Sequence, residues 1–530
     1  MMRSLSLAAL LALGTAATAF AETPRKGGTF NFTAPYGSAF STLDIHGSPN
    51  IQEHFVTYAI HRSLYSWDSN NNKPVPELAE KVDVSEDGSV YTFHLKKNAV
   101  FHHGKPLTAD DVIFTYKRLA DAKNALPGAS YINIIKGVAE FGKGEATEIE
   151  GLKKIDDHTL EVTLNAAGNP GFNLMESTTS IYPSDYPLDQ QAIKPVGLGA
   201  FQFKEHVPGS QVVVERFDKY YEEGKPYLDR VNIIVMPEGS ARDVAFRNKE
   251  VDVSVLGPVQ YQAYQQDAAL KDHILEVAET FTRNVGFNTE AVPALADKRV
   301  RQAINHAINS DLIIERLVKG KAVRAVSWLP KGSPAYDESA QPYAYDPEKA
   351  KALLKEAGYE NGFEFEVTAT PNESWGVPII EAILPMLKQV GITVKPKPIE
   401  SAALGSTVQS GDFQAYMWSN LTGPDPLTSL RCFWSQTAQA ACNYTKFSNA
   451  EFDKLYEAAR AETDEAKQME LLKQANNLLQ EEAPVWFFNY NKAVMAYQPW
   501  VHGLAPNATE LALQDYDSIW IDDSAPASRK

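Results

Sequence analysis

Hydrophobic and polar positions alternate in several short segments in the first half of the chain. Val90–Leu95 alternates apolar and polar residues, and this period of two predicts a half-buried strand. Apolar runs between turn residues predict further strands at 212–215, 231–236 and 251–256. The first half is therefore expected to be rich in β-sheet.

Apolar residues with helical spacing follow the Val90–Leu95 segment. Thr108 and Asp111 have the spacing of a capping box, with an aspartate in place of the usual glutamate. The apolar stripe of the predicted helix consists of Val112, Ile113, Tyr116 and Leu119.

From about residue 285, helices and strands alternate as in an α/β domain. One helix is predicted from the spacing of Val300, Ala303, Ile304, Ala307 and Ile308. Asp346-Pro347 opens the next helix, and Gly358 ends it. A strand, a helix and a second strand then predict a βαβ unit, at 363–367, 379–387 and from 392. The last predicted elements are a long helical region at 448–484, which opens with a capping box of Ser448 and Glu451, and an aromatic strand at 484–497.

The composition is that of a large acidic protein. The 530 residues include 67 acidic and 50 basic side chains, with a formal net charge of −17 and 44% hydrophobic residues. Nucleic-acid binders hold phosphates with an excess of lysine and arginine, so this balance excludes a general nucleic-acid partner. Because single cores rarely grow past about 250–300 residues, several domains are expected.

The first 21 residues have the pattern of a cleavable secretory signal. Arg3 gives a positive start, residues 5–13 are apolar, and Ala19-Phe20-Ala21 fits a signal-peptidase site. The mature chain is expected to begin at Glu22, without a lipid anchor, in an exported compartment.

Cys432 and Cys442 are the only two cysteines. They lie in one loop-like stretch, and an oxidising exported compartment favours their pairing. No histidine lies near them, which disfavours a zinc site. We expect a Cys432–Cys442 disulfide.

No strong catalytic motif occurs in the chain. The patterns of zinc proteases, serine hydrolases and phosphate-binding loops are absent. His102-His103 is interpreted as a turn or strand end, Gly197-Leu198-Gly199 as a turn before a strand, and Asp156-Asp157 as a hairpin. The prediction is a protein that is not an enzyme, with no catalytic residue, no cofactor and no metal site.

Several short sequences occur in the order and spacing typical of one family. They are PELAE at 76–80, SEDG at 85–88, YTFHL at 91–95, FHHGKPLTADDV at 101–112, IDDHT at 155–159, PVGLGAF at 195–201, NVGFN at 284–288, DKRVRQAI at 297–304 and YDPEKAKALL at 345–354. Together they resemble the solute-binding proteins of the peptide/nickel class of ABC importers, and they cover nearly the whole mature chain.

This resemblance implies an α/β, two-lobed periplasmic-binding-protein-like fold with an additional accessory domain, of the large cluster C type. The implied divisions are a signal peptide at 1–21, domain I at 22–65, 195–283 and 485–530, accessory domain II at 66–194, and domain III at 284–484. The lobes would be joined near 284–287 and 485–488 and would close on a ligand in the cleft between domains I and III.

The resemblance also implies the partners. A receptor of this class captures a small organic solute in the periplasm and delivers it to the permease subunits of an ABC importer. It is expected to be a monomer with no nucleic-acid partner.

The sequence departs from dipeptide and oligopeptide receptors at the positions that hold the ends of a peptide. Their W-x-x-D motif supplies an aspartate for the amine, whereas the matching run here is Trp418-Ser419-Asn420-Leu421. Dipeptide receptors place an arginine after the βαβ strand, and residues 369–375 contain none. A buried ammonium group without a partner is costly, which disfavours a plain dipeptide receptor. The expected ligand is a short peptide or a peptide-like or opine-type compound, and a longer peptide held in extended form by its main chain stays possible.

Nine residues are candidates for contact with the ligand. They are Trp418, Asn420 and Trp375 near the altered positions, Asn372 and Glu373 on a loop after a domain III strand, Asp425 and Arg431 near the cysteines, and Tyr36 and Phe40 near the start of the mature chain. The alternative for the aromatic residues is a place in the core. For Asp425 it is a turn or helix cap, and for the other charged residues it is a solvated surface.

Three alternative functions stay open. Two of them keep the same fold and change the ligand to a saccharide or to a metal chelate. A metal chelate would need His46, His54 or His61 in the cleft to bind it. In a different class, the protein is an exported hydrolase whose acidic residues meet only in the fold.

Overall fold

The computed structural model describes residues 23–35, 39–48, 51–371, 375–439 and 441–530, with the side chains of residues 401, 402 and 421 excepted. The strands of this part are β1 (Thr29–Ala34), β2 (Tyr65–Asp68), β3 (Lys73–Pro76), β4 (Ala79–Val84), β5 (Val90–Leu95), β6 (Leu152–Asp156), β7 (Thr159–Thr163), β8 (Phe201–Val207), β9 (Gln211–Arg216), β10 (Arg230–Val235), β11 (Val253–Val255), β12 (Ile274–Phe287), β13 (Ala322–Arg324), β14 (Phe363–Ala369), β15 (Ile392–Pro398), β16 (Ala415–Leu421), β17 (Val485–Tyr497), β18 (Val501–His502) and β19 (Trp520–Ile521). The predicted signal segment, 1–21, lies outside the described residues.

The α-helices of the described chain vary from one turn to five. They are α1 (Ile51–Ile60), α2 (Ala109–Ala120), α3 (Ala129–Ile132), α4 (Val138–Gly142), α5 (Gly171–Leu174), α6 (Gly239–Arg247), α7 (Pro258–Gln266), α8 (Pro293–Ala296), α9 (Lys298–Ala307), α10 (Ser310–Arg316), α11 (Pro347–Glu356), α12 (Val377–Gln389), α13 (Ser401–Ser410), α14 (Pro426–Leu430), α15 (Ala450–Ala461) and α16 (Glu465–Glu482). In this part of the molecule, no helix combines the length and the apolar composition that crossing a membrane requires.

Three larger sheets organise these elements. A four-stranded sheet has the order β1-β10-β9-β8, and a second has the order β4-β5-β7-β6. The largest sheet has the order β11-β17-β12-β16-β14-β15, with β13 also paired to β17. Its β14 and β15 run parallel and are joined by α12, which confirms the predicted βαβ unit.

The largest sheet extends across both lobes of the molecule. One hydrophobic core contains residues of the two four-stranded sheets and of the carboxyl-terminal segment, and it includes Met495 of β17. A second core contains Phe287 of β12, Trp486 of β17 and the helices that follow β12. Since β12 and β17 pair with each other along both lobes, these two long antiparallel strands join them. The α/β, two-lobed architecture expected from the sequence is therefore present.

Several local signals act as the sequence predicts. Thr108 and Asp111 form the capping box of α2. Asp346 caps α11 by accepting a hydrogen bond from the Lys349 amide, and Gly358 follows that helix with φ +85°. The predicted disulfide between Cys432 and Cys442 is present.

The long helical region predicted from 448 to 484 is present, but it is divided into two helices. Two helices, α15 and α16, occupy the segment, and they are separated at residues 462–464. Asn449 caps the first helix by accepting hydrogen bonds from the amides of Glu451 and Phe452, in the role expected of Ser448. Asp464 caps the second helix, because its side chain accepts a hydrogen bond from the Lys467 amide.

Candidate functional site

Two adjoining cavities lie between the lobes. One, here called the hinge cavity, has a volume of about 470 Å³ and is lined by residues of α1, β12, β17 and the carboxyl-terminal segment. The other, here called the aromatic cavity, has a volume of about 520 Å³ and is lined mainly by β16 and the segment after it. Both cavities are bordered by Tyr131, Glu176, Phe281, Ser419 and Pro424, so they form one continuous cleft.

β12 supplies one wall of the hinge cavity by the alternation of its side chains. Glu279, Phe281 and Arg283 stand at every second position and line the cavity, and Thr280 also borders it where the strand pairing is irregular. On the opposite face, Thr282 is fully buried, and its hydroxyl donates a hydrogen bond to the Trp328 carbonyl at 2.8 Å.

Asn491 connects two charged groups of the hinge cavity. Its side-chain nitrogen donates to a Glu279 carboxylate oxygen at 2.6 Å, and its oxygen accepts a hydrogen bond from Arg283 Nη2 at 2.9 Å. The other Glu279 oxygen accepts the Leu511 amide hydrogen at 2.8 Å. Both carboxylate oxygens of Glu279 therefore accept hydrogen bonds. By accepting from the Asn491 nitrogen, Glu279 also turns the Asn491 oxygen toward Arg283.

Arg283 itself is only partly satisfied. Its Nε atom is buried without a hydrogen-bond partner, and no carboxylate of the described residues lies within ion-pair distance of its guanidinium. Burial lowers the pKa of Arg283 to about 10, with the Glu279 charge acting in the opposite direction. The side chain is thus a cation at neutral pH, and Arg283 is one of the residues that line the hinge cavity.

Four titratable side chains of the first lobe line the hinge cavity together with Arg283: His54, Tyr58, Tyr131 and Glu176. Glu176 is half-buried, and burial raises the pKa of its carboxyl to about 7. Its negative charge helps raise the pKa values of Tyr58 and Tyr131. Burial also lowers the pKa of His54 to about 4, so this imidazole is neutral at pH 7.

The aromatic cavity has a different lining. Trp418 stacks on Tyr444 with ring centroids 5.9 Å apart and an interplanar angle of 10°, and Tyr416 meets both rings edge-on. Phe281, Trp328 and Phe433 complete much of the apolar surface. Such a surface suits a flat or apolar part of a ligand.

Four of the nine predicted contact residues line the aromatic cavity: Trp418, Asn420, Asp425 and Arg431. The Asn420 side-chain nitrogen is buried without a hydrogen-bond partner, whereas the Arg431 side chain is exposed. Asp425 caps α14, where its oxygens accept hydrogen bonds from the Leu427 amide and the Thr428 hydroxyl. The helix-cap alternative for Asp425 thus describes its local role.

The other predicted residues are elsewhere or outside the described chain. Phe40 is buried in the core of the first lobe, 6.1 Å from the His206 ring, and is not among the residues that line the two cavities. Trp375 packs between two apolar clusters of the second lobe, one of which contains Trp418. Tyr36, Asn372 and Glu373 lie outside the described residues, as does the side chain of Leu421.

Sequence reasoning missed the charged residues of the hinge cavity. Arg283 had a signal, because Glu279, Phe281 and Arg283 alternate with threonines directly before the NVGFN motif. Glu176 had no such signal, because it lies outside the α-helices and strands, in the segment between α5 and β8.

Residues with metal-ligand chemistry do not gather in the described part of the chain, where no group of three or more His, Cys, Asp or Glu side chains is placed to hold an ion. Two histidines considered for a chelate have structural surroundings. His46 stacks on Tyr182 at 3.8 Å and shares a hydrogen bond with the Ser180 carbonyl, and His61 is buried against the same tyrosine. His54 alone of the three lines the hinge cavity.

Two lobes joined by paired strands, with a lined cleft between them, define a solute-binding protein. The family model "Bacterial extracellular solute-binding proteins, family 5 Middle" matches residues 73–441. The chain belongs to this family, which confirms the class indicated by its sequence motifs.

One relative supports the same assignment, and two solved structures share the fold. A dipeptide-binding protein of Escherichia coli K12 is 30% identical over 449 residues, which are 80% of this chain and 82% of that protein. The solved structure of HbpA2 from Haemophilus parasuis matches with a TM-score of 0.82 and 24% identity, over 93% of this chain and all of that one. The binding protein AgaA of A. tumefaciens R10, solved with agropinic acid, matches with a TM-score of 0.70 and 25% identity, over 94% of this chain and 99% of that one.

Proposed function

We propose that this protein is the periplasmic receptor of an ABC importer for a short peptide or a peptide-like, opine-type solute. The observation that carries the proposal is the continuous cleft, which has charged groups at one end and stacked aromatic rings at the other. A short peptide or an opine combines charged groups with a side chain or flat polar skeleton, so either matches both ends of such a cleft.

The named relatives support both ligand types. The Escherichia coli relative is a dipeptide-binding protein, and the AgaA structure contains agropinic acid. The aromatic cavity supports the peptide type somewhat more, because an apolar peptide side chain fills a surface formed by Trp418, Tyr444 and Phe433.

The proposal extends to the setting of the receptor. We infer cleavage after Ala21, delivery to permease subunits in the membrane, action as a monomer, and the three-domain division given above, with the accessory domain at 66–194. The amino-terminal mass of the protein from its native host and light scattering of the purified chain test the first and third of these inferences.

The test of the ligand class is native mass spectrometry of freshly purified protein, followed by thermal-shift screening. The screen contains dipeptides, tripeptides, longer peptides, opines and oligosaccharides. A co-purifying peptide ladder, or stabilisation by several peptides, supports the peptide receptor. Stabilisation by an opine alone selects the second ligand type, whereas stabilisation by oligosaccharides alone contradicts the proposal. Release of a bound metal on adding a chelator would instead reveal a metal-chelate receptor.

A hydrolase is tested on the same sample. Peptides and glycosides are incubated with the protein and followed by mass spectrometry. A receptor returns them uncleaved, and turnover that scales with protein concentration would contradict the proposal.

A further inference from the structure

Glu176 is an acidic residue whose backbone the fold holds in place and whose carboxyl group has no bonding partner among the described residues. Its carbonyl oxygen accepts hydrogen bonds from the hydroxyls of Ser63 at 3.1 Å and Thr179 at 2.8 Å, so the backbone at this position is fixed. Glu176 is among the residues that line both cavities. In the described chain, no hydrogen bond or ion pair reaches its carboxyl group, and burial alone accounts for its raised pKa.

Arg283 is the corresponding cation on the hinge side of the same cavity. It donates one hydrogen bond to Asn491, and its Nε atom has no partner. The nearest acidic influence, Glu279, already has both oxygens occupied by Leu511 and Asn491. The guanidinium is therefore held in position by a neutral amide and left with unused donors.

These two charges line one cavity and do not pair with each other in the described structure. An unpaired charge in a desolvated place is costly, and a partner of opposite charge removes that cost. Two such charges of opposite sign on facing lobes match a ligand that carries both signs.

The usual positions for holding the two ends of a peptide are altered in this chain. Leu421 stands where the family places an aspartate, and the segment 369–375 contains no arginine. Glu176 and Arg283 provide the same two charges from different elements, the turn after α5 and the strand β12.

We propose that the ligand is a zwitterion whose ammonium group pairs with Glu176 and whose carboxylate pairs with Arg283. This inference rests on the proposed function and specifies its substrate class. These two pairings would fix the orientation of the ligand. Its ammonium end would lie at Glu176, where the two cavities meet, and its carboxylate end would lie at Arg283 in the hinge cavity.

The test is calorimetric titration of the full mature chain with Ala-Phe, Phe-Ala and Ala-Phe-Ala, each in free, N-acetylated and C-amidated form. Capping either end removes one charge-assisted hydrogen-bond partner, so each cap is expected to weaken binding by about 10- to 100-fold. This series needs no variant, so it remains decisive even where a substitution impairs folding.

Two variants assign the ends. Glu176→Gln is expected to abolish the effect of the N-acetyl group and to keep the effect of the C-amide, and Arg283→Gln is expected to do the reverse. Glu205→Gln and Arg230→Gln, exposed on the β1-β10-β9-β8 sheet, are matched controls that keep both effects.

The outcomes separate this inference from the proposed function. If free and capped peptides bind within two-fold of each other, the zwitterion inference fails while the peptide receptor stands. It also fails if both variants keep both cap effects. If none of the free peptides binds, the peptide form of the proposed function fails and the inference fails with it.

Discussion

The hinge cavity and the aromatic cavity each contain a carboxyl group whose pKa is raised by burial, but the protein uses the two groups differently. In the aromatic cavity, Asp425 accepts hydrogen bonds from Leu427 and Thr428 as the cap of α14. In the hinge cavity, Glu176 accepts none from the described residues. Burial and a raised pKa are common to both carboxyl groups, so they do not by themselves identify an acid that binds ligand. Bonding capacity that the fold leaves unused is the better criterion.

Trp418→Ala gives the largest expected effect on the aromatic side of this comparison. Removing the ring deletes apolar contact worth about 1.5–3 kcal/mol when fully buried, so affinity for Ala-Phe is expected to fall about 10- to 100-fold. Stability should change less, because Trp418 is only half-buried at the edge of a small apolar cluster. Titration and thermal melting measure the two effects.

The matched control for that substitution is Trp434→Ala. Trp434 packs on Tyr456 and lies 4.8 Å from the Arg460 guanidinium carbon, and it is not among the residues that line either cavity. Its loss should leave affinity unchanged. Equal losses of affinity in the two variants would remove Trp418 from the site.

Asn491→Ala tests the hinge side without removing a charge. Arg283 loses the acceptor that positions it, and Glu279 loses one of its two donors. We expect affinity for free peptides to fall about tenfold, while C-amidated peptides lose less, since the amide end has no carboxylate to place. Asn491→Asp is the contrasting variant, because its carboxylate would neutralise Arg283 directly. An equal loss for free and C-amidated peptides would contradict a positioning role.

Lowering the pH tests the difference between the two carboxyl groups. With a pKa of about 7, Glu176 is half ionised at pH 7 and about one-tenth ionised at pH 6, so affinity for a free amine should fall about five-fold. N-acetylated peptides and the Glu176→Gln variant should show no such change. The titratable groups that interact with Glu176 are Tyr58 and Tyr131, and burial and nearby acids raise their pKa values further above 10.

The ligand-free protein should respond in the opposite direction. A carboxyl whose pKa is raised by folding stabilises the folded state at low pH, and that contribution is lost as pH rises through about 7. Glu176→Gln is therefore expected to melt at a higher temperature than the parent at pH 8 and at the same temperature at pH 4. An unchanged difference across this range would contradict the raised pKa.

Asp425→Ala is expected to have the smallest effect on binding. The side chain is occupied as a helix cap, so its loss should lower the free energy of unfolding by about 1 kcal/mol and change affinity by less than two-fold. Asp425→Ser keeps a capping group and should recover the stability. A large loss of affinity with unchanged stability would place Asp425 among the ligand contacts.

The sequence indicated most of the regular elements but not the strand that forms the site. Clean alternation predicted Val90–Leu95, and caps at Thr108 and Asp346 marked helix starts. β12, Ile274–Phe287, shows alternation only over residues 279–283, directly before its family motif. It leaves one core, lines a cleft and enters another core, so its faces change environment along its length.

The candidate site was predictable only in part for a related reason. Trp418 and Asn420 were found because they stand at a motif position near the cleft. Glu176 and Arg283 are more than 100 positions apart in the sequence, and they line one cavity only because the fold brings their segments together. The spacing of apolar and polar residues along the sequence does not reveal such residues. What distinguishes Glu176 and Arg283 is that the fold leaves them without an ion-pair partner among the described residues.

The pairing between β12 and β17 shifts register between Ala278 and Thr282. Glu279 and Phe281, which line the cleft, lie within that short step. A second shift follows between Arg283 and Asn284, so the ladder of backbone hydrogen bonds between the two long strands is interrupted on both sides of Phe281. The floor of the cleft is thus the part of the strand pair where the backbone is least regularly paired, and an occupant of the cleft would lie directly against it.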